Sequence, residues 1–124
     1  MPKVSKETVS SVEDFGVAED RAEDLEGYTV NFTTIREAQD LAPAFAGLPG
    51  KHCSCPHWGY MLKGRMTITY ADHQDVLEPG DAFYLPPGHT PAVDAGTEFV
   101  MFSPAEELHK TVEVMMKNME AQAG

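Results

Sequence analysis

Four side chains have the chemistry of metal ligands, and three of them fall at alternate positions within a short stretch: Cys53, Cys55, His57 and His89. On a β-strand, Cys53, Cys55 and His57 would project to one face. His89 directly follows Pro86-Pro87-Gly88, further along the chain. Two thiolates and two imidazoles suit zinc, and they are soft enough for copper(I) or iron. The sequence therefore predicts a divalent or soft transition metal, with zinc as the first choice.

A purely structural interpretation of these residues stays open. Cys53 and Cys55 could be small buried hydrophobic residues and His57 a hydrogen-bonded core histidine. Pro56 could also bend the strand and spoil the common face. A disulfide is not expected, because Cβ atoms two residues apart on a strand are about 6 to 7 Å apart, against about 3.8 Å in a disulfide.

The elements that must position these residues are predicted from the spacing of apolar side chains. Residues 28–33 alternate apolar and polar side chains, which indicates a half-buried strand. Residues 66–70 repeat the pattern, and the apolar stretches 82–85 and 99–102 follow. Turn residues separate these strands, so a barrel or sandwich of about six to eight strands is predicted.

A helix near Pro104 to Gln122 is predicted to follow the last strand. Ser103 and Glu106 have the spacing of a capping box, and Pro104 would occupy the first helical position. An apolar stripe at helical spacing then packs on the barrel or on a partner: Leu108, Val112, Met115 and Met119.

Two stretches resemble the motifs of the cupin family. Residues 79–89 resemble the second motif, in which a glycine, five residues and Pro-x-Gly precede a metal-binding histidine. Residues 53–64 resemble the end of the first motif, with His57 where the family has a ligand glutamate. The resemblance covers about residues 28–103. It implies an all-β cupin fold, a double-stranded β-helix or jelly-roll barrel, with a C-terminal α-helix and a cavity with ligand chemistry.

The motifs also depart from the family pattern. The His-x-His pair is missing, and Pro91 stands where a histidine commonly follows the glycine by three residues. The resemblance therefore implies a different ligand set from the usual three histidines and one glutamate. His73, at a predicted hairpin tip, and His109, on the predicted helix, are expected to face solvent.

One domain is expected, with three parts: an acidic arm over residues 1–27, the barrel over 28–103, and the helix over 104–124 packed on the barrel. The arm contains eight acidic residues against three basic ones, and a few apolar residues could anchor it. Sequence alone leaves open whether it is disordered or packs along the barrel.

Charge and apolar patterning limit the partners. The formal net charge of −11 disfavours nucleic acid and membrane surfaces. The chain starts without the apolar core of a signal peptide and has no spanning apolar run, so a cytoplasmic location is expected. Trp58, Tyr60 and Leu62 alternate with Gly59 and Met61 on a strand that is apolar on both faces. Their need for cover predicts a homodimer.

Three functions remain open at this point. The first is a metal-dependent enzyme acting on a small organic molecule inside the barrel. The second is a non-catalytic module that binds a metal or a metabolite as sensor or store. The third is a metal-free dimeric scaffold. The number of protein ligands on the metal would distinguish them, because catalytic zinc keeps an open position and structural zinc does not.

Overall fold

The computed structural model describes residues 3–40 and 55–123, which form ten strands and one helix. The strands are β1 (Ser11–Asp14), β2 (Ala18–Leu25), β3 (Tyr28–Ile35), β4 (Gln39–Asp40), β5 (His57–Lys63), β6 (Met66–Thr69), β7 (Gln74–Leu77), β8 (Ala82–Leu85), β9 (Thr90–Val93) and β10 (Glu98–Pro104). The helix α1 spans Ala105–Ala123. The predicted all-β fold with a C-terminal helix is confirmed, with more strands than the six to eight expected.

The strands form two antiparallel sheets with the hydrophobic core between them. The larger sheet has the order β1-β2-β3-β10-β5-β8, and the smaller has the order β4-β9-β6-β7. Both contribute to one buried cluster: Ile35, Met61, Phe83, Leu85 and Phe99 from the larger, and Met66, Ile68, Leu77 and Val93 from the smaller. Alternate residues of each strand point inward, which is why the period of two predicted these elements.

The acid-rich segment before Gly27 contributes two strands to the larger sheet. β2 pairs with β3 along its whole length, from Ala18 opposite Ile35 to Leu25 opposite Tyr28. The two-residue turn between them has positive φ at both Glu26 and Gly27, as a type I′ hairpin requires. The sheet therefore begins well before Tyr28, and this pairing carries acidic side chains of β2 onto the body of the protein.

The tight turn between β5 and β6 depends on Gly64. Its φ is +79°, and a Cβ at this position would collide with Thr97. Glycine alone combines that backbone conformation with such a close approach.

Helix α1 begins one residue later than predicted, because Ser103 and Pro104 still belong to β10. Ser103 pairs with Thr29 in the sheet, and its hydroxyl contacts His57. Leu108 and Thr111 are buried where the helix packs against the sheet. Among the described residues, no helix has the length and apolarity needed to cross a membrane.

Candidate functional site

A cavity of about 220 Å³ lies within the barrel and is closed on one side by helix α1. Most of its lining is apolar and comes from both sheets and the helix. The polar groups in its wall include Asp20, Asn31, Thr33, His57 and His89. An apolar cavity with a few polar groups at defined places is the usual form of a small-molecule site.

His57 and His89 are brought together by the pairing of β5 with β8. His57 begins β5 and lies opposite Leu85, the last residue of β8. The chain then turns through Pro86-Pro87-Gly88 and returns His89 beside His57. The ring centroids are 4.9 Å apart at an interplanar angle of 63°, and both side chains are buried.

Both imidazoles are anchored through Nδ1. His89 Nδ1 donates to the carbonyl oxygen of Pro86 at 2.7 Å. A carbonyl only accepts, so this bond fixes the proton on Nδ1 and leaves Nε2 as the basic nitrogen of the neutral ring. His57 Nδ1 is 2.6 Å from the hydroxyl of Ser103. Metal-binding histidines are commonly oriented by such bonds from the second ring nitrogen.

The surroundings of His57 favour its neutral form. Burial, followed by the repulsion that His89 would exert if both rings were protonated, lowers the pKa of His57 to about 3. His57 is therefore uncharged at neutral pH. A neutral imidazole is the form that binds a metal ion or accepts a hydrogen bond.

A second polar group lies on β2 and β3. Asp20 accepts two hydrogen bonds from Asn31 Nδ2, at 2.9 and 3.1 Å, and one from the hydroxyl of Thr33 at 3.0 Å. Burial raises the pKa of Asp20, although the bonds from Asn31 and Thr33 oppose it. Within the described part of the chain, the buried Asn31 Oδ1 has no hydrogen-bond partner.

Sequence reasoning missed this group, because polar residues that alternate along a strand usually face solvent. The available signal was the alternation in β2, which places Asp20, Ala22 and Asp24 on one face. Helix α1 packs over β3, so Asn31 is buried and Asp20 is half-buried, while Asp24 at the end of this face stays exposed.

The structure brings two of the four predicted metal ligands together, His57 and His89. Cys55 is buried, but it does not line the cavity, and its Sγ lies 3.5 Å from the carbonyl oxygen of Pro56. It lies before the first residue of β5, so the alternation of that strand does not extend back to it. Cys53 lies outside the described residues. His73 and His109 are exposed, as predicted.

The described residues fit a metal ion only in part. The two anchored imidazoles are suitable ligands for zinc, copper or iron. Protein sites for zinc usually supply three or four ligands. Among residues 3–40 and 55–123, no three His, Cys, Asp or Glu side chains form a group that could hold a metal ion.

The comparisons with known proteins agree with this architecture. Residues 39–103 match the model of the cupin domain family Cupin_2, which is slightly more than half of the chain. The chain therefore belongs to the cupin-2 family, as its two motifs predicted. A search of curated proteins found no match.

Solved structures with the same fold have diverse origins. A Rhizobium leguminosarum protein of unknown function has a TM-score of 0.59 at 18% identity, covering 83% of this chain and 95% of the other. The polyketide cyclase RemF from Streptomyces resistomycificus has a TM-score of 0.58 at 15% identity, covering 84% and 79%. HEPD from Streptomyces albus, with 2-hydroxyethylphosphonate and Fe(II) bound, has a TM-score of 0.53 at 19% identity, covering 75% and 23%. At these identities the likeness establishes the fold alone.

Proposed function

We propose that this cupin binds a small organic molecule in its barrel cavity, beside a transition-metal ion held by Nε2 of His57 and His89. The observation that carries the proposal is the pair of buried imidazoles in the cavity wall, each anchored through Nδ1. Anchoring of this kind holds the opposite ring nitrogen in a fixed direction.

Of the two cysteines that the sequence predicts as further ligands, Cys55 does not line this cavity, so Cys53 is the remaining candidate. Zinc remains the first choice, with iron or copper as alternatives, and Fe(II) is bound in the structurally similar HEPD. When bound, such an ion supplies a Lewis acid that polarises a carbonyl or carboxylate, or activates water or dioxygen.

The protein's own side chains would orient the bound molecule and exclude water. Leu85, Phe99 and Met66 form part of the apolar wall, and Leu108 of helix α1 closes the same cavity. An apolar wall strengthens each polar contact inside, because water does not compete for it. The polar groups on β2 and β3 add hydrogen-bonding positions distinct from the histidine pair.

Metal content tests the proposal directly. Untagged protein is loaded with zinc, iron or copper, freed of excess by gel filtration and analysed for metal. We expect about one ion per chain, and release on acidification because protons compete for the ligands. His57→Ala and His89→Ala should each lose most of the metal, whereas His73→Ala, at an exposed position, should keep it. Substoichiometric metal in the parent protein, unchanged in His57→Ala, would contradict the proposal.

A metal-free binding module is the second candidate. It is favoured by the lack of a three-ligand group among the described residues. In that case ligand binding should survive treatment with a chelator. Loss of ligand binding together with the metal would instead favour the metal-dependent site.

A further inference from the structure

A second pocket, of about 450 Å³, adjoins the barrel cavity. We call this pocket the outer hollow. It lies between helix α1 and strands β1 to β3. Asp20 and Asn31 line both hollows, as do Leu108 and Val112. The Asp20–Asn31 pair therefore stands where the outer hollow meets the cavity.

The outer hollow is acidic. Its lining contains five carboxylates: Glu13, Asp20, Glu23, Asp24 and Glu113. Neither hollow has a Lys or Arg among its described lining residues. Histidines are the basic side chains in the linings: His109 in the outer hollow, where it lies 3.4 Å from Asp24, and His57 and His89 in the barrel cavity. Such a surface attracts cations and repels anions.

The junction presents hydrogen-bond acceptors. Asn31 Nδ2 donates hydrogen bonds to both carboxylate oxygens of Asp20. The Oδ1 atom of Asn31 has no hydrogen-bond partner within the described chain. Buried acceptors are nearly always paired, so an unpaired one in a cavity wall indicates a missing donor. Asp20 accepts three bonds, whereas a carboxylate has about four lone-pair sites. Asp20 can therefore receive a further donor from a ligand, and the buried Asn31 Oδ1 can receive one when its side chain turns toward the cavity.

We propose that the cavity binds a small organic amine, with its ammonium group at Asp20 and Asn31 Oδ1 and its apolar body against the wall formed by Leu108, Phe99 and Met101. This deepens the proposed function, on which it rests, by giving the chemical class of the small molecule. An ammonium group has three N–H donors and one positive charge. It can donate to Asp20 and, once the Asn31 side chain turns, to Asn31 Oδ1, and its charge offsets that of the half-buried carboxylate.

The charge of Asp20 supports the same class of ligand. Burial raises the pKa of this carboxyl, and Asp20 forms no ion pair among the described residues. An ammonium group in contact with it would stabilise the ionised form. A carboxylate or phosphate ligand would instead meet like charge throughout the outer hollow.

Three matched probes test the class of ligand by isothermal titration calorimetry: benzylamine, benzyl alcohol and benzoate. They share an aromatic body and differ in the head group. We expect benzylamine to bind at least about tenfold more tightly than either of the others. Equal affinities, tighter binding of benzoate, or no binding of benzylamine would overturn the proposal.

Two variants locate the ammonium group. Asp20→Asn should bring benzylamine to within about threefold of benzyl alcohol, while Asp75→Asn, which removes the same charge from exposed β7, should leave the preference unchanged. Asn31→Ala should weaken benzylamine binding with less effect on benzyl alcohol. Melting curves confirm that each variant is folded. An undiminished amine preference in folded Asp20→Asn or Asn31→Ala would contradict the placement.

The two proposals fail separately. If metal binds through the histidines but amines have no advantage, the amine site is overturned and the metal site stands. If benzylamine is preferred in protein that binds no metal, the amine site stands and the metal site is overturned.

Discussion

The carboxyl group of Asp20 lies in the cavity wall and receives three hydrogen bonds from neutral donors, on Asn31 and Thr33. Burial dominates its electrostatics and raises its pKa. Glu13 adds a smaller repulsion in the same direction. Asp20 therefore holds its proton more firmly in the folded protein than in the unfolded chain, which makes folding stability depend on pH.

Asp20→Asn should reveal that dependence. A raised pKa means that the favourable contribution of Asp20 is fully present below its ordinary value of 3.8 and is lost as pH rises through the folded-state value. Asparagine does not titrate. The free energy of unfolding of Asp20→Asn, relative to the parent, should therefore increase from about pH 4 upward and then level off. Urea unfolding across pH 4 to 8 measures this difference.

Asp75→Asn is the matched control for this experiment. Asp75 is exposed on β7, so its replacement shows the effect of removing one surface carboxylate. A flat profile for Asp20→Asn would show that the folded-state pKa of Asp20 is not raised.

Ser103 supports His57 from the neighbouring strand. Removing its hydroxyl leaves a buried ring nitrogen without this bond, so Ser103→Ala should lower the free energy of unfolding by about 1–3 kcal/mol. If His57 binds a metal, the affinity should also fall by about 10- to 100-fold. Denaturant titration and metal competition measure the two effects. Ser5→Ala, at an exposed site, should change neither, and an unchanged Ser103→Ala would contradict the supporting role.

At the scale of elements, the β5–β8 pair and the turn that follows β8 determine the site. The pairing of His57 with Leu85 sets where the chain leaves β8, and residues 86–88 return it within reach of His57. Helix α1 has the complementary role, because it packs over β3 beside Asn31 and Asp20. A cavity with two separate polar groups results from these packed elements.

The turn between β5 and β6 provides a test of backbone constraint. Gly64→Ala should lower the free energy of unfolding by more than about 2 kcal/mol, since it adds a collision with Thr97 to the cost of positive φ. Gly96→Ala is the control. Its φ is +83° but a Cβ there would meet nothing within 4 Å, so about 1–2 kcal/mol is expected. Equal losses in denaturant unfolding would contradict the importance of the Thr97 contact.

At the scale of the whole molecule, the outer face of the larger sheet carries an apolar patch. It consists of exposed aromatic and aliphatic side chains on β3, β5, β8 and β10: Tyr28, Trp58, Tyr60, Leu62, Tyr84 and Phe102. Trp58 contacts both Tyr28 and Tyr84, with ring centroids 6.3 and 4.9 Å apart. A continuous patch of this kind is typical of a protein interface.

We therefore expect a two-fold homodimer formed through this patch. Sedimentation at micromolar concentration should give about twice the mass of one chain. Tyr84→Glu places a charge in the patch and should give monomers. Val76→Glu, equally exposed on the smaller sheet, should stay dimeric. A monomeric parent protein would contradict this prediction.

The sequence by itself determined the apolar strands β3, β5, β6, β8 and β10, the C-terminal helix, the family, and the presence of His57 and His89 in one site, but not the acidic strands β1 and β2. These features follow from local periodicity and from motifs whose turn residues act over a few positions. Only the tertiary structure decided which polar face was covered. Strand alternation says which side chains share a face, but the packing of α1 over β3 is what buries Asn31 and leaves Asp20 half-buried. The same holds for Ser103, which has the spacing of a helix cap but lies in β10, where pairing with Thr29 and contact with His57 give it a different partner.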